Sequence, residues 1–258
     1  MRKGKSTEMQ AYLTLVRREL GALFVSLTGY AVMAGVLFVM GAGFALTLKD
    51  NNDVATSAPI TEQVFGSGWF WLILLVASPF ITMRSFALEK HTGTFETLMT
   101  TPISDLQVTL AKFSGALIFF MLIWTPVFFY PYIVSIFSVE PVQLGAGPLS
   151  GTILGMFLIG CVYMSAGCLA SSLTRHQVIA ALIGFGFGTV IYLLGALVRL
   201  NIPQDTWQYQ ALLQISMLEH LEDFSRGIID TRHLVFYVCV TSLFLFATHR
   251  IVQARRWK

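Results

Sequence analysis

Six stretches of this chain are apolar over a length that can cross a lipid bilayer, and they leave few alternatives for the fold. A membrane-spanning helix needs about 20 mostly apolar residues, because inside the hydrocarbon every backbone N–H and C=O must be satisfied within the segment. Charged residues make up only 12% of the chain, against roughly 25% in soluble domains. The sequence therefore predicts an all-α polytopic membrane protein in which residues 1–258 form a single transmembrane domain. The predicted spans cover about residues 24–46, 65–84, 108–137, 149–173, 178–198 and 233–252.

The distribution of Lys and Arg predicts how these spans are oriented. With six spans, 13 of the 17 basic residues fall on the side that holds both termini, whereas nine of the 14 carboxylates fall on the other side. Loops that stay in the cytoplasm carry the excess of Lys and Arg. We therefore expect both termini to be cytoplasmic.

Two polar regions outside the spans carry helical patterns. The segment 8–20 has Arg17 and Arg18 between apolar residues at helical spacing, which favours an amphipathic helix on the cytoplasmic surface; the alternative is that it merely extends the first span. The segment 199–232 is too polar to span, and we expect one or two short helices there, ended by Gly227 in a left-handed cap. The apolar residues of the first segment are Met9, Leu13, Val16, Leu20 and Leu23.

The chain offers little catalytic chemistry. No GxxxxGK[ST] phosphate-binding loop occurs, so hydrolysis of ATP by the usual route is not expected in this chain. The three cysteines, Cys161, Cys168 and Cys239, lie in apolar runs and are interpreted as core residues. One cluster resembles an acid–base or metal site, although a solvated helix face explains it better: Glu219, His220, Glu222, Asp223 and His233. An intramembrane enzyme acting on lipid through this cluster remains the alternative function.

Coupling to protons or sodium is also not expected, because such transporters place ionisable side chains within their spans. Here Arg84 ends the second span and Lys112 begins the third, and both are interpreted as close enough to the membrane surface to snorkel. No catalytic, cofactor-binding or metal-binding residues are therefore predicted.

The polar stretch FALEKHTGTFETLMTTPISD, residues 86–105, predicts a short capped helix between the second and third spans. Phe95, Leu98 and Met99 share one face, and Pro102 ends the helix. Ser104 then caps the third span in a capping box with Gln107. Two interpretations stay open on these residues alone: a helix that docks into a groove of a soluble partner, or an interfacial helix that contacts only lipid or its own bundle.

Two phrases of the sequence resemble a known family. MRSFALEKHTGTFETLMTTPISDLQVTLAKF is similar to the loop between the second and third spans of type-2 ABC transporter permeases. SMLEHLEDFSRGIIDTRHLVFY, residues 216–237, resembles the gliding-motility ABC permease branch of that family. The residues that match the first motif are Glu89, Lys90, His91, Gly93, Thr94, Glu96, Leu98, Met99, Pro102, Ile103 and Ser104.

The resemblance implies a permease subunit of an exporter-type ABC transporter in the bacterial inner membrane. Residues 8–22 would be its elbow helix, and residues 89–102 a coupling helix in a groove of a separate ATP-binding subunit, with a minor second contact at Arg175 and His176. The implied contacts are Glu89, Lys90, His91, Gly93, Thr94, Phe95, Glu96, Leu98, Met99, Pro102 and Arg175.

The resemblance also implies partners. The permease would pair with a second copy or a related chain, and an accessory periplasmic partner could join it; no nucleic acid partner, cofactor or enzymatic activity of this chain is expected. Spans that are poor in charge and rich in Phe, Gly and aliphatic residues suggest a lipid-like or amphipathic substrate, or mechanical signalling across the membrane.

Overall fold

The computed structural model describes residues 2–50, 60–94, 104–137, 145–199 and 206–256, which form helices and turns without any strand. In chain order the helices are α1 (Arg2–Val25), α2 (Leu27–Asp50), α3 (Ile60–Phe65), α4 (Gly68–Thr82), α5 (Ala87–Thr92), α6 (Asp105–Trp124), α7 (Tyr130–Phe137), α8 (Ala146–Leu173), α9 (Gln177–Ala196), α10 (Trp207–Leu213), α11 (Met217–Ser225) and α12 (Thr231–Arg256).

Six helical stretches in the described part of the chain are long and apolar enough to cross a membrane, as predicted. They are Leu27–Lys49, Gly68–Thr92, Asp105–Phe137, Ala146–Leu173, Gln177–Arg199 and Thr231–Ala254. The all-α polytopic class is therefore confirmed.

The third span begins and changes helix type where its sequence indicates. The Gln107 N–H donates to Ser104 Oγ, and Gln107 Oε1 accepts from the Ser104 N–H, each at 3.2 Å, so the predicted capping box is present. Pro126 has no N–H for the helix ladder, and it lies in a 3-10 segment, Thr125–Phe129, that separates α6 from α7. The helix type therefore changes locally within this span.

The helix α8 forms the centre of the bundle. It packs against α4, α6, α9, α11 and α12. Of the residues in its most apolar 18-residue stretch, 78% are buried inside the bundle. The corresponding buried share is only 17% for the spans of α2 and α12 and 22% for that of α9. Their remaining apolar side chains face outward, as expected for helices in contact with hydrocarbon.

The helix α1 is separate from the first span and longer than predicted. The chain breaks at Ser26, and an ideal Cβ on Gly29 would lie 2.1 Å from the Leu23 carbonyl oxygen, so only glycine permits this tight turn. Before the turn, α1 packs along α6, where the hydroxyls of Tyr12 and Ser114 are 2.7 Å apart. These contacts oppose the alternative that the segment simply prolongs the first span.

The loops form two ends of different charge. The basic end contains α5, the end of α4 and the turn 174–176 between α8 and α9; the acidic end contains α3, α10 and α11. The two short helices expected in 199–232 are α10 and α11, and Gly227, with φ of 84°, adopts the predicted left-handed conformation.

At the acidic end α11 lies directly on α8. An ideal Cβ on Gly151 would lie 2.1 Å from the backbone oxygen of Phe224, and one on Gly155 would lie 2.9 Å from the Phe224 ring. Gly151 and Gly155 are four residues apart, and such pairs of small residues let membrane helices pack closely.

Candidate functional site

The short helix α5 is the centre of the candidate site at the basic end. The second span turns after Thr82, and α5 then runs from Ala87 to Thr92. Gly93, with φ of 75°, ends it in the left-handed conformation that favours glycine. The described chain continues to Thr94, so the structure shows the base of the predicted coupling segment.

A single serine of α8 holds the turn that leads into α5. The backbone N–H groups of Phe86 and Ala87 donate to Ser171 Oγ at 3.0 and 3.1 Å, and this hydroxyl donates to the Met83 carbonyl at 3.1 Å. All three bonds are buried, where leaving such groups unpaired would cost about 1–3 kcal/mol each. Ser171 thus fixes the entry of α5 to the central helix.

Lys90 fixes α5 to α8 a second time. Its ammonium group donates to the backbone carbonyl of Ser172, and the residue is 8% exposed. The lysine therefore serves as an internal contact between two elements, and its predicted contact with an ATP-binding subunit stays a prediction.

Glu89 connects α5 to α1 and α6 on the other side. Its Oε1 lies 2.7 Å from Arg18 Nη2 and 2.9 Å from Lys112 Nζ. Glu19 Oε1 lies 3.1 Å from each of the same two cations. This four-residue cluster, Arg18–Glu19–Glu89–Lys112, joins three elements, and we call it the basic-end ion cluster.

Lys112 differs from its interpretation as a snorkelling residue. Its side chain is 2% exposed and lies between two carboxylates. A buried charge is tolerated only when it is paired, and both of its partners come from distant parts of the sequence. The snorkelling interpretation of Lys112 was therefore wrong.

The outer side of α5 faces open space. His91, Gly93 and Thr94 are exposed, and the His91 ring centroid lies 6.2 Å from that of His176 at the start of α9. These two histidines line a shallow groove of about 470 Å³ with Gln177, Val178 and Ile179. The groove combines two imidazoles with exposed aliphatic side chains, a surface suited to contact another protein.

The predicted contact residues thus have different positions. His91, Gly93, Thr94 and Arg175 are exposed at the basic end, whereas Glu89 and Lys90 bind within the bundle. The remaining ones lie outside the described residues: Phe95, Glu96, Leu98, Met99 and Pro102.

Sequence reasoning missed the residues that hold α5 in place. Glu19 and Ser171 had no signal of their own, and Arg18 was interpreted only as a charge on an amphipathic helix, because ion pairs and hydroxyl contacts across a bundle follow from its lateral packing. Lys112 was the available signal, since a cation seven residues into a spanning helix (Asp105 to Lys112) requires a partner.

At the acidic end, the carboxylates of the alternative enzyme site form ion pairs. Glu222 pairs with Arg199, and Glu219 Oε1 lies 3.6 Å from Arg199 Nε. The Arg226 guanidinium binds both carboxylate oxygens of Glu62, at 3.0 and 2.6 Å. Among the described residues, no three His, Cys, Asp or Glu side chains converge as a metal site would require.

The two histidines of that end form a stack in which His220 is fully buried and His233 is partly buried. The rings of His220 and His233 are 3.9 Å apart and inclined by 28°, and His233 Nε2 is 4.0 Å from Asp223 Oδ2. Neither nitrogen of the fully buried His220 makes a well-formed hydrogen bond with a described residue. The backbone of Leu213 lies close enough to raise the pKa of His220 slightly against the effect of burial. The pair packs as aromatic rings.

The environment shifts three pKa values at the acidic end. Burial, reinforced by His233, lowers the pKa of His220 to about 4. Burial raises the pKa of Glu222 above its ordinary value, against the opposing effect of Arg199. The hydrogen bonds and charge of Glu62 raise the pKa of Arg226.

Comparison with known proteins supports the relation to ABC transporter permeases, and the gliding-motility branch stays a prediction. Residues 20–225 match a family model described as "ABC-2 family transporter protein", which is more than half of the 258 residues. The matched range includes Glu89, Lys112, Ser171 and His176. A comparison with curated proteins found no match.

Proposed function

Because this chain belongs to the ABC-2 transporter family, and is thus a multi-pass membrane permease subunit of an ABC transporter, we propose that it works in an exporter driven by a separate ATP-binding subunit. The subunit docks at the basic end, on the outer side of α5. ATP hydrolysis takes place in the partner, and this chain converts the movement of the docked subunit into movement of its spans.

The charge distribution supports a cytoplasmic position for the basic end. Arg17, Arg18, Arg84, Lys90 and Arg175 all belong to this end or to α1 beside it. Such an excess of basic residues is typical of the cytoplasmic side. In a bacterial inner membrane both termini are then cytoplasmic, the side on which ATP is available.

The observation that carries the proposal is the two-sided character of α5. On its inner side, Glu89 and Lys90 bind α1, α6 and α8. On its outer side, His91 and the groove beside His176 remain exposed. A helix that is bound on one side and open on the other can transmit a force applied from outside to several spans at once.

The docking test uses two paired variants of the full chain. His91→Ala with His176→Ala removes both imidazoles from the groove, and Glu96→Ala with Leu98→Ala changes the predicted coupling helix. Each variant is affinity-purified from membranes in mild detergent, and the recovered ATP-binding subunit is quantified. We expect about tenfold weaker association, since interface residues that matter cost more than about 1 kcal/mol each.

The matched control is Arg232→Ala, an exposed substitution at the acidic end. It should leave recovery of the ATP-binding subunit unchanged. Wild-type recovery by both paired variants, or purification of the wild type without any P-loop protein, would contradict docking at the basic end.

We further propose that two permease chains, identical or related, form the translocation path and that the cargo is lipid-like or amphipathic. The outward apolar faces of α2, α9 and α12 support this, because they can contact both a second permease and a lipid chain. The resemblance of residues 216–237 extends the proposal to the gliding-motility branch. The alternative to movement of a lipid-like cargo is mechanical signalling to a periplasmic partner.

The cargo proposal is tested in proteoliposomes that contain the permease and its ATP-binding subunit. ATP should drive the transfer of a fluorescent phospholipid between leaflets, and a subunit inactive in ATP hydrolysis should abolish the transfer. ATP-dependent uptake of a small, strongly charged solute without lipid transfer would count against it.

A further inference from the structure

A small cavity lies where α1 meets the ends of the second and third spans. Its volume is about 130 Å³. Five charged side chains line it: Arg18, Glu19, Arg84, Glu89 and Lys112. Four of them form the basic-end ion cluster, and Arg84 stands apart from that cluster.

Arg84 leaves the cavity with a positive charge in excess. Three cations and two carboxylates line the wall, so the formal sum is +1. The Arg84 guanidinium donates to Thr28 Oγ1 at 3.0 Å, and no carboxylate of a described residue lies within 4.0 Å of it. Arginine presents five N–H donors in a planar fork that suits phosphate oxygens. The cavity can therefore accept one negative charge on this side.

Glu89 supplies a complementary feature on the other side. Its Oε1 accepts from Arg18 and Lys112, whereas its Oε2 is buried and has no hydrogen-bond partner among the described residues. A buried carboxylate oxygen without a donor is costly. A ligand that fills this cavity is favoured if it also donates a hydrogen bond.

The rest of the wall indicates where such a ligand comes from. Ala22, Leu23 and Leu88 contribute apolar surface beside the charged groups. The cavity lies next to α1, whose Met9 and Leu13 are exposed apolar residues, and at the end of two spans, the level of lipid headgroups in a bilayer. Basic pockets between spans are a known means of holding anionic headgroups.

We propose that this cavity binds the phosphodiester headgroup of an anionic phospholipid whose headgroup carries hydroxyls, as in phosphatidylglycerol. The phosphate oxygens accept from Arg84, and a headgroup hydroxyl donates to Glu89 Oε2. The single negative charge of the lipid neutralises the excess positive charge of the wall. A bound lipid would then join α1, the turn that follows α4, and α6 at the point where α5 is held.

The charge and hydrogen-bonding groups of the cavity predict that phosphatidylglycerol binds most tightly among the common phospholipids. Phosphatidylethanolamine also donates hydrogen bonds but brings no net charge, so it should bind less well. Phosphatidylcholine has no donor in its headgroup and brings no net charge, so it should bind least. The phosphodiester could also belong to a water-soluble molecule, which is why the free headgroup is tested as well.

The experiment measures lipid binding to the full-length protein in detergent by native mass spectrometry. The probes are phosphatidylglycerol, phosphatidylethanolamine and phosphatidylcholine with identical acyl chains, and glycerophosphoglycerol as the free headgroup. We expect the protein to prefer phosphatidylglycerol over phosphatidylcholine by about fivefold or more, the effect of one basic side chain near a membrane surface.

Three variants assign the preference to the cavity. Arg84→Gln should abolish it, and Arg84→Lys, which retains the charge, should keep most of it. Arg175→Gln removes an exposed charge from the same end of the molecule and should leave the preference unchanged. The comparison of lipids on the wild type remains informative even if a variant fails to fold.

Several results would overturn the proposal. Equal binding of phosphatidylcholine and phosphatidylglycerol to the wild type would do so, as would an unchanged preference in Arg84→Gln. Equal binding of the free headgroup would assign the cavity to a soluble phosphodiester. If Arg84→Gln kept its lipid preference but lost the ATP-binding subunit, Arg84 would serve a carboxylate of that protein instead.

Discussion

His220 is the residue whose protonation the fold opposes most clearly. It is completely buried and stacks on His233 at 3.9 Å, with Tyr237 at 5.7 Å. A second positive charge at this distance is unfavourable, and the carboxylate of Asp230 offsets it only in part. Asp223 Oδ2 lies 4.0 Å from His233 Nε2, whereas neither ring nitrogen of His220 has a well-formed hydrogen bond with a described residue. The stack is stable while His220 is neutral.

The stack predicts a specific loss of stability in acid. The folded pKa of His220 is about 4, below the ordinary value of about 6.5, so its contribution is fully present above pH 6.5 and is lost as pH falls toward 4. In thermal melts in detergent between pH 7.5 and 5, the equilibrium constant for unfolding of the wild type should increase by up to about tenfold for each pH unit that the pH falls below 6.5. His220→Phe should remove this contribution.

The control for this prediction is His176→Phe, an exposed position that should retain the wild-type slope. The raised pKa of Glu222 acts in the opposite direction, because its contribution is lost as pH rises, and this flattens the profile at the acidic limit. Identical pH profiles for the wild type and His220→Phe would contradict the assignment.

Lys112 shows how far single residues could be interpreted from the sequence. Its position in a spanning helix indicated that it needed water or a partner. The choice between the two depended on Glu19 and Glu89, which reach it at 3.1 and 2.9 Å from separate helices. Hydropathy contains no information about which spans are neighbours, so the ion cluster could not be predicted.

At the level of elements, the boundaries set by local chemistry were predictable. Ser104 and Gln107 form the expected capping box, Pro126 marks the change of helix type, and Gly227 takes the left-handed conformation. Each depends on residues close in sequence. The attachment of α5 to α8 through Ser171 spans more than 80 residues and was not foreseen.

Ser171→Ala is expected to loosen α5 without unfolding the bundle. The substitution leaves the buried N–H groups of Phe86 and Ala87 without an acceptor, at a cost of about 2–4 kcal/mol. Amide hydrogen exchange of these two residues should accelerate accordingly. Ser172→Ala is the matched control, because the Ser172 hydroxyl bonds only within α8 and Lys90 uses its backbone carbonyl. Equal amide exchange of Phe86 and Ala87 in both variants would argue against the role of Ser171 in holding α5.

Gly151→Ala is expected to displace α11 from α8. The new Cβ would lie 2.1 Å from the Phe224 backbone oxygen, a clash that rotamer changes cannot relieve and that should cost about 3 kcal/mol. The melting temperature should fall clearly. Gly147→Ala, in the same helix with no atom within 4 Å of its Cβ, should leave stability unchanged or slightly raised. Similar melting of both variants would refute this packing.

For the whole molecule, hydropathy and length were sufficient to predict the class and the six spans, because a bilayer restricts a chain of this composition to bundled helices. They did not predict that α8 would lie at the centre. That arrangement depends on which faces carry small residues and on contacts such as Gly151 with Phe224, which involve elements far apart in sequence.

The proposed orientation can be tested on intact cells. In a variant that lacks Cys161, Cys168 and Cys239, Trp207→Cys at the acidic end should react with a membrane-impermeant thiol reagent. His91→Cys at the basic end should react only after permeabilisation, because the excess of basic residues predicts that this end is cytoplasmic. Both positions are exposed, so accessibility alone does not separate them.

The reverse labelling pattern would contradict the orientation and with it the docking of an ATP-binding subunit at α5. Labelling of both cysteines in intact cells would indicate leaky membranes, which a cytoplasmic marker protein detects. The six-span fold does not depend on this outcome.

The central position of α8 has a mechanical consequence. Gly151, where α11 rests, and Ser171, which holds the start of α5, are 20 residues apart on one helix, or about 30 Å along its axis. At about 100° per residue they point in nearly opposite directions. The helix contains no proline after Pro148, so no proline kink interrupts it between these two contacts. When α8 turns about its own axis as one rod, the contacts at its two ends move sideways in opposite directions, so a displacement imposed on α5 reaches α11 with its direction reversed.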